Sequence, residues 1–349
     1  KNRIGNVNAG NFNSDISNWD LSSAEDITEM FRGAKSFNQD ISSWDVSSGQ
    51  FFARMFSNAS AFDQNLMYWD LSSSSSFNGL NSMFYGADLM VSNQGFSVVD
   101  GTPTASEFGK TKITDRSSLD TAITAWIADE ASATETYGDI NTWDVTTITD
   151  FSRLFFNEIS FNSNISDWDV SSGTNFTSML EGASSFNQDI SNWDVSSGTN
   201  FSSMFYEAIS FKADISVWDL SSAKNLSSMF FGARSFNQGI NDWDVSNVID
   251  FGDMFNTAIS FNQDISNWDV SSGRDFHGLF YGARSFNQNI GTWDVSAGVQ
   301  FEYMFFGATS FNQDISNWDV SSGRDFSALF NTASSFNQDI SNWDVSSGI

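Results

Sequence analysis

The chain has 349 residues, 40% of them apolar, with 36 Phe, 13 Trp, no Cys and a formal net charge of −28. So much apolar surface excludes an acidic disordered tail, and the charge argues against nucleic acid or an anionic membrane surface as partner. Without cysteine there is no disulfide and no thiolate metal site, and no apolar run approaches the roughly 18 residues that span a bilayer, so direct membrane insertion is not expected.

Taken in chain order, the sequence is organised by Trp-Asp pairs. Three of them, at Trp19, Trp44 and Trp69, stand 25 residues apart. They place a three-coil array at residues 1–98, since a fixed period of this size marks stacked repeats. Next comes Asp100-Gly101-Thr102-Pro103-Thr104, with the one proline of the chain, which reads as part of a linker at 99–111. Leu119, Ile123, Trp126 and Ile127 then lie at i, i+4, i+7 and i+8, an amphipathic helix. Placed at 112–138, it is expected to cap a second array. That array, at 139–349, has nine Trp-Asp pairs from Trp143 to Trp343, again at 25-residue spacing. Lys1 opens close to a repeat and Ile349 falls one short of a further turn, so the expectation is a piece of a longer polypeptide.

Within one unit, Phe186 to Ser210, Trp193 and Val195 alternate with Asn192, Asp194 and Ser196, the period of a short half-buried strand. Phe201, Met204, Phe205 and Ala208 recur at i, i+3, i+4 and i+7, one face of a short helix. The residue before that run is Asp26, Asp150, Asn175, Asn200, Asn225, Asp250, Asp275 or Asp325 in eight coils, a preferred N-cap type. At the other corner Asn13, Asn38, Asn162, Asn187, Asn237 and Asn262 recur, as in side-chain amide ladders of stacked turns. The expected fold is an α/β repeat solenoid, leucine-rich-repeat-like, whose 25-residue coils each carry one short parallel strand and one short helix.

The segment Phe-Asn-Gln-Asp-Ile-Ser-Asn-Trp-Asp-Val-Ser-Ser at 186–197 recurs verbatim at 261–272, 311–322 and 336–347. With the following Met-Phe and Ala, it resembles the BspA-like leucine-rich-repeat surface proteins and their mycoplasma lipoprotein-type repeat of unknown function. The resemblance implies an exported or surface-exposed protein that serves adhesion or extracellular layers, and it brings no catalytic residues.

Chemistry-bearing positions are few. His277 is the one histidine and stands where other coils have Ser202, Gly252 or Ser327, so it reads as a surface residue and no enzyme is expected. The Asp after each Trp is invariant, and Ser or Thr follows two residues later in every coil. Carboxylates stacked about 4.8 Å apart repel by roughly 3 kcal/mol per pair at an effective dielectric of 20. An Asx-type turn at each Asp would offset that repulsion. The alternative is a cation row, suited to calcium, at Asp169, Asp194, Asp219, Asp244, Asp269, Asp294 and Asp319. Asn58, Asn164, Asn175, Asn200 and Asn225 sit in glycosylation sequons. These features lead to a non-enzymatic extracellular or cell-surface structural protein that assembles with copies of itself or with other extracellular structural proteins. The alternative is an adhesion module that takes a glycan or protein through one face.

Overall fold

A computed structural model describes residues 9–74, 79–93, 101–103, 108 and 112–348. The chain divides into two compact units, 1–112 and 113–349. Most of the stretch read as a linker lies outside the described residues. Of the rest, Gly101 accepts at its carbonyl from the Phe84 amide at 2.8 Å, and Phe108 is buried in the first unit's core.

Among the described residues, α-helices are confined to α1 (Asp88–Asn93), α2 (Arg116–Ala128) and α3 (Glu130–Tyr137), with short 3₁₀ turns at Ala9–Asn11 and Ile140–Thr142. Among the same residues strand pairing is limited to isolated bridges, parallel from coil to coil. The expected α/β repeat solenoid, with a strand and a helix in every coil, is therefore wrong, and so is the leucine-rich-repeat-like architecture. The 25-residue coils do lie one upon another, but they are built of turns.

Residues 201–208 show how. The amides of Phe201, Ser203, Phe205 and Glu207 donate to the carbonyls of Asn225, Ser227, Met229 and Phe231 in the next coil, at 2.6–3.0 Å. The intervening amides of Met204, Tyr206 and Ala208 turn back three residues, to Phe201, Ser203 and Phe205, at 3.0–3.1 Å. Such a string needs left-handed backbone every fourth residue, and Ser203 and Glu207 supply it at φ 56° and 52°. Positive φ at the third residue of a four-residue turn is the requirement of a type II turn. The apolar spacing is as expected and Phe201, Met204, Phe205 and Ala208 are all buried. The hydrogen-bond partners and the left-handed residues are what differ from a helix.

The Trp-Asp-Val segment is likewise not a strand. Trp193 and Val195 are buried and Asp194 exposed, as alternation requires. Yet the Trp193 amide returns to the Ile190 carbonyl at 3.2 Å. The contact between coils here is the indole, whose N–H donates to the Ile165 carbonyl of the preceding coil at 3.0 Å. Parallel pairing falls instead on the residues read as N-caps, in an unbroken series from Asp150–Asn175 to Gln300–Asp325. Their side chains do accept from an amide two residues on, as Asn200 does from Ser202 at 3.0 Å, but the segment that follows is a turn.

Aromatic columns fill the interior. Phe205, Phe230, Phe255, Phe280, Phe305 and Phe330 stack at 5.5–5.8 Å between neighbours, and Phe205 lies 3.9 Å from Phe211 within its own coil. Trp243, Trp268, Trp293, Trp318 and Trp343 form another column at 6.1–6.4 Å. Burying each such ring contributes about 1.5–3 kcal/mol, against about 1 kcal/mol net for a hydrogen bond, so the aromatic columns dominate cohesion. The amide ladder lies outside them: Asn262, Asn287 and Asn312 each accept at Oδ1 from the amide one coil on, at 2.9 Å.

At the first coil of the second unit a side chain donates where, in later coils, the amides of the coil before donate. Interior carbonyls such as Asn200 and Ser202 accept from Phe176 and Ser178 of the coil before. At the equivalent Asp150 and Ser152 the donors are Arg116 Nη1 and Nη2, at 3.1 and 2.6 Å. Arg116 opens α2, whose Asp115 cap accepts from the Ser118 amide in a capping box. Leu119, Ala122, Ile123 and Trp126 of α2 belong to the same apolar core as the coils, and Trp126 meets Trp143 edge-on at 5.8 Å.

Candidate functional site: the Asp rows and the His277 patch

Each member of the Asp row occupies the same turn. Asp169, Asp194, Asp219, Asp244, Asp269, Asp294 and Asp319 accept at Oδ1 from the backbone amide of the Ser two residues on, at 2.9–3.0 Å. In Asp169, Asp194, Asp244 and Asp319 the Ser hydroxyl donates to the same oxygen at 2.6 Å. This is the Asx turn, and it resolves the repulsion. The Ser196 hydroxyl and amide hold the Asp194 carboxyl below its ordinary value although Asp219 pushes it up, and the Ser321 pair does the same for Asp319 against Asp344. A second row at Asp15, Asp40, Asp189, Asp214, Asp264, Asp314 and Asp339 makes the same turn, which the spacing alone did not single out. Among the described residues no three His, Asp or Glu side chains come together as a metal cage.

The sequon asparagines divide by exposure. Asn58 and Asn164 are exposed, whereas Asn175, Asn200 and Asn225 are half-buried at the bridge positions. Asn175 is engaged at both ends of its amide: Oδ1 accepts from Thr177, and Nδ2 donates to Asp150 at 2.9 Å.

One patch departs from the repeat. His277 lies between two carboxylates, with Nδ1 2.7 Å from Asp275 Oδ1 and Nε2 3.1 Å from Asp253 Oδ2 of the preceding coil. Hydrogen bonds to Asp253 and then Asp275 push its pKa up to about 10, so both ring nitrogens donate at neutral pH. Burial works against the Asp275 carboxylate, but the His277 side chain, amide and charge together hold it below its ordinary range. Neighbours without such a donor go the other way. Burial, with the charge of Asp275, raises Asp250, and burial, with the charge of Asp325, raises Glu302, whose buried Oε2 has no partner among the described residues. A shallow groove beside the imidazole is lined by Asp253, Asn256, His277, Gly278, Tyr281 and Tyr303. Counting histidines reduced His277 to a surface residue. The signal that could have found the patch is the joint departure of Gly252-Asp253, His277-Gly278 and Glu302-Tyr303 from the small pairs Thr177-Ser178, Ser202-Ser203 and Ser227-Ser228 of earlier coils.

No curated protein matches the chain. The family described as Mycoplasma protein of unknown function, DUF285, matches four times, over residues 6–96, 124–232, 210–302 and 274–348. These matches take in both units and nearly all of the coils, and the chain is a repeat protein belonging to the DUF285 family.

Proposed function

We propose that the chain is a non-enzymatic extracellular structural or assembly protein whose coils serve as a stiff spacer and lattice element. Its partners are further copies of itself or other extracellular structural proteins. The observation that carries this reading is the regularity of the second unit. From Asp150 to Asp325 the same bridge is repeated without a break, and aromatic columns run along the same coils. Every coil thus presents its exposed Asp carboxylates in the same setting, a periodic surface suited to ordered contacts rather than to a single reaction centre. His277 supports the non-enzymatic reading, because an imidazolium held between two carboxylates does not act as a base near neutral pH. The resemblance to BspA-like surface proteins supports the extracellular location. Electron microscopy of the chain across ionic strengths tests the proposal. Ordered filaments or sheets are expected, and dispersed molecules under every condition would count against it. A second reading, adhesion to a glycan through one face, is favoured by the His277 patch.

A further inference from the structure

The outward positions that follow the bridge are small in the three coils directly before the patch, Thr177-Ser178, Ser202-Ser203 and Ser227-Ser228. In the next three coils they become Gly252-Asp253, His277-Gly278 and Glu302-Tyr303, and these changes fit one another. A Cβ at Gly252 would collide with the His277 imidazole, and one at Gly278 would collide with Asp253 Oδ1. Gly278 also carries φ +54°. A side chain is thus removed on each coil where the neighbouring coil adds one. Independent drift from Ser has no reason to produce that complementarity.

The groove so formed alternates donors and acceptors beside aromatic walls. Asp253 accepts from Asn256 Nδ2 at 2.7 Å through Oδ1 and faces His277 through Oδ2, and each oxygen keeps a lone pair for a further donor. Tyr281 is held by stacking on Phe306 at 4.6 Å. Tyr303, 45% exposed, stands 6.4 Å from Tyr281 with the rings at 57°, so the two walls are not parallel. Neither phenolic hydroxyl has a hydrogen-bond partner among the described residues.

The groove wall carries one carboxylate, Asp253, and one imidazolium, His277, so a single charge of either sign meets a like charge there. A ring with vicinal hydroxyls, each both donor and acceptor, and an apolar C–H face satisfies both kinds of group. We infer that the patch binds one pyranose unit of an uncharged glycan, with Tyr281 and Tyr303 together against its C–H groups and Asp253, Asn256 and His277 on its hydroxyls. This inference deepens the adhesion reading and does not depend on lattice assembly.

The test is titration of the whole chain, by calorimetry and saturation-transfer NMR, with uncharged oligosaccharides of the gluco, manno, galacto and N-acetylglucosamine series. Tetramethylammonium and oligogalacturonate are the charged comparators. Saturable binding to at least one uncharged series is expected. It should weaken by about tenfold, the equivalent of about 1.4 kcal/mol, in Tyr303→Ser and in the double variant Gly252→Ser with His277→Ser. Both variants restore residues that the coil at 201–208 carries at these positions, so folding is expected to survive, and an unchanged thermal melt checks it. Three results would overturn the inference: no uncharged sugar binding, sugar binding unaffected by both variants, or binding of a charged comparator alone. Electron microscopy of the same variants separates this outcome from the structural reading, since arrays should persist when the groove is lost.

Discussion

Helix α2 and the segment 201–208 carry nearly the same apolar spacing and adopt different structures. In α2, Leu119, Ala122, Ile123 and Trp126 form one buried face, and the backbone satisfies itself within the helix. In 201–208, Phe201, Met204, Phe205 and Ala208 are buried in the same rhythm, yet alternate amides donate to the next coil. A repeat offers the backbone a neighbour whose carbonyls stand in register, whereas the amides of α2 find theirs within the helix. Local chemistry sides with each outcome. Asp115 and Ser118 form a capping box before an Ala-bearing helix, while Asn200 closes an Asx turn that competes with helix nucleation.

That comparison can be broken most forcefully at the centre of the aromatic columns. Phe230 touches Phe205, Phe255 and Phe236 at 5.6, 5.7 and 3.9 Å. Phe230→Ala should cost about 3–5 kcal/mol in chemical denaturation, and a loss under 1 kcal/mol would mean that the columns do not bear the stability assigned to them. Arg116→Ala comes next. It strips two carbonyls of their donors and should cost about 1–3 kcal/mol, with raised hydrogen exchange in the coil at 150–158. Unchanged exchange there would mean that the guanidinium does not stand in for the amides of a preceding coil.

The finest distinction is a pair of glycine substitutions. Ser203→Gly relieves a non-glycine left-handed residue and should stabilise by up to about 1 kcal/mol. Ala122→Gly, inside α2, should destabilise by about 1 kcal/mol. Equal destabilisation at both sites would restore a helix at 201–208.

The smallest effects are those of pH. Asp194, Asp219, Asp269 and Asp319 have folded pKa values below the ordinary 3.8, each through the Ser two residues on. Their contribution is complete above the unfolded value and is lost as pH falls through the lower folded value. His277 has the opposite sign. Its contribution is complete below pH 6.5 and is lost as pH rises through about 10. A melting temperature flat from about pH 5 to 6, declining below about pH 4 and again progressively from about pH 6.5 to pH 10, is expected. Because the Asp groups are largely exposed and the imidazole is only half-buried, both declines should be modest. Loss of the alkaline decline in His277→Ser would assign it, and its persistence there would contradict the assignment.

Much of this fold was legible because it is repetitive. The period, the stacking of Trp243 to Trp343 on one another, the burial of Trp193 and Val195 around exposed Asp194, the amide ladder and the Asx turns all follow from recurring residue types. The hydrogen-bond partners did not, because apolar residues at 201, 204, 205 and 208 fit two successive four-residue turns as well as two turns of helix. The overlooked discriminator was glycine at 182, 232, 282 and 307, all at positive φ, where a helix interior would penalise it. The equivalent Glu207 and Thr257 adopt the same backbone and hid the pattern. The groove beside His277 was missed for a different reason. Its residues are 25 or so apart in sequence, and only the register between coils joins them.

The most direct measurement is the scalar coupling across the hydrogen bond of the Phe205 amide, read by NMR on uniformly labelled chain. Coupling from the Phe205 nitrogen to the Met229 carbonyl carbon, one coil onward, is the expected result. Coupling to the carbonyl of Phe201, four residues back, would place a helix in the coil and contradict the turn-built stack.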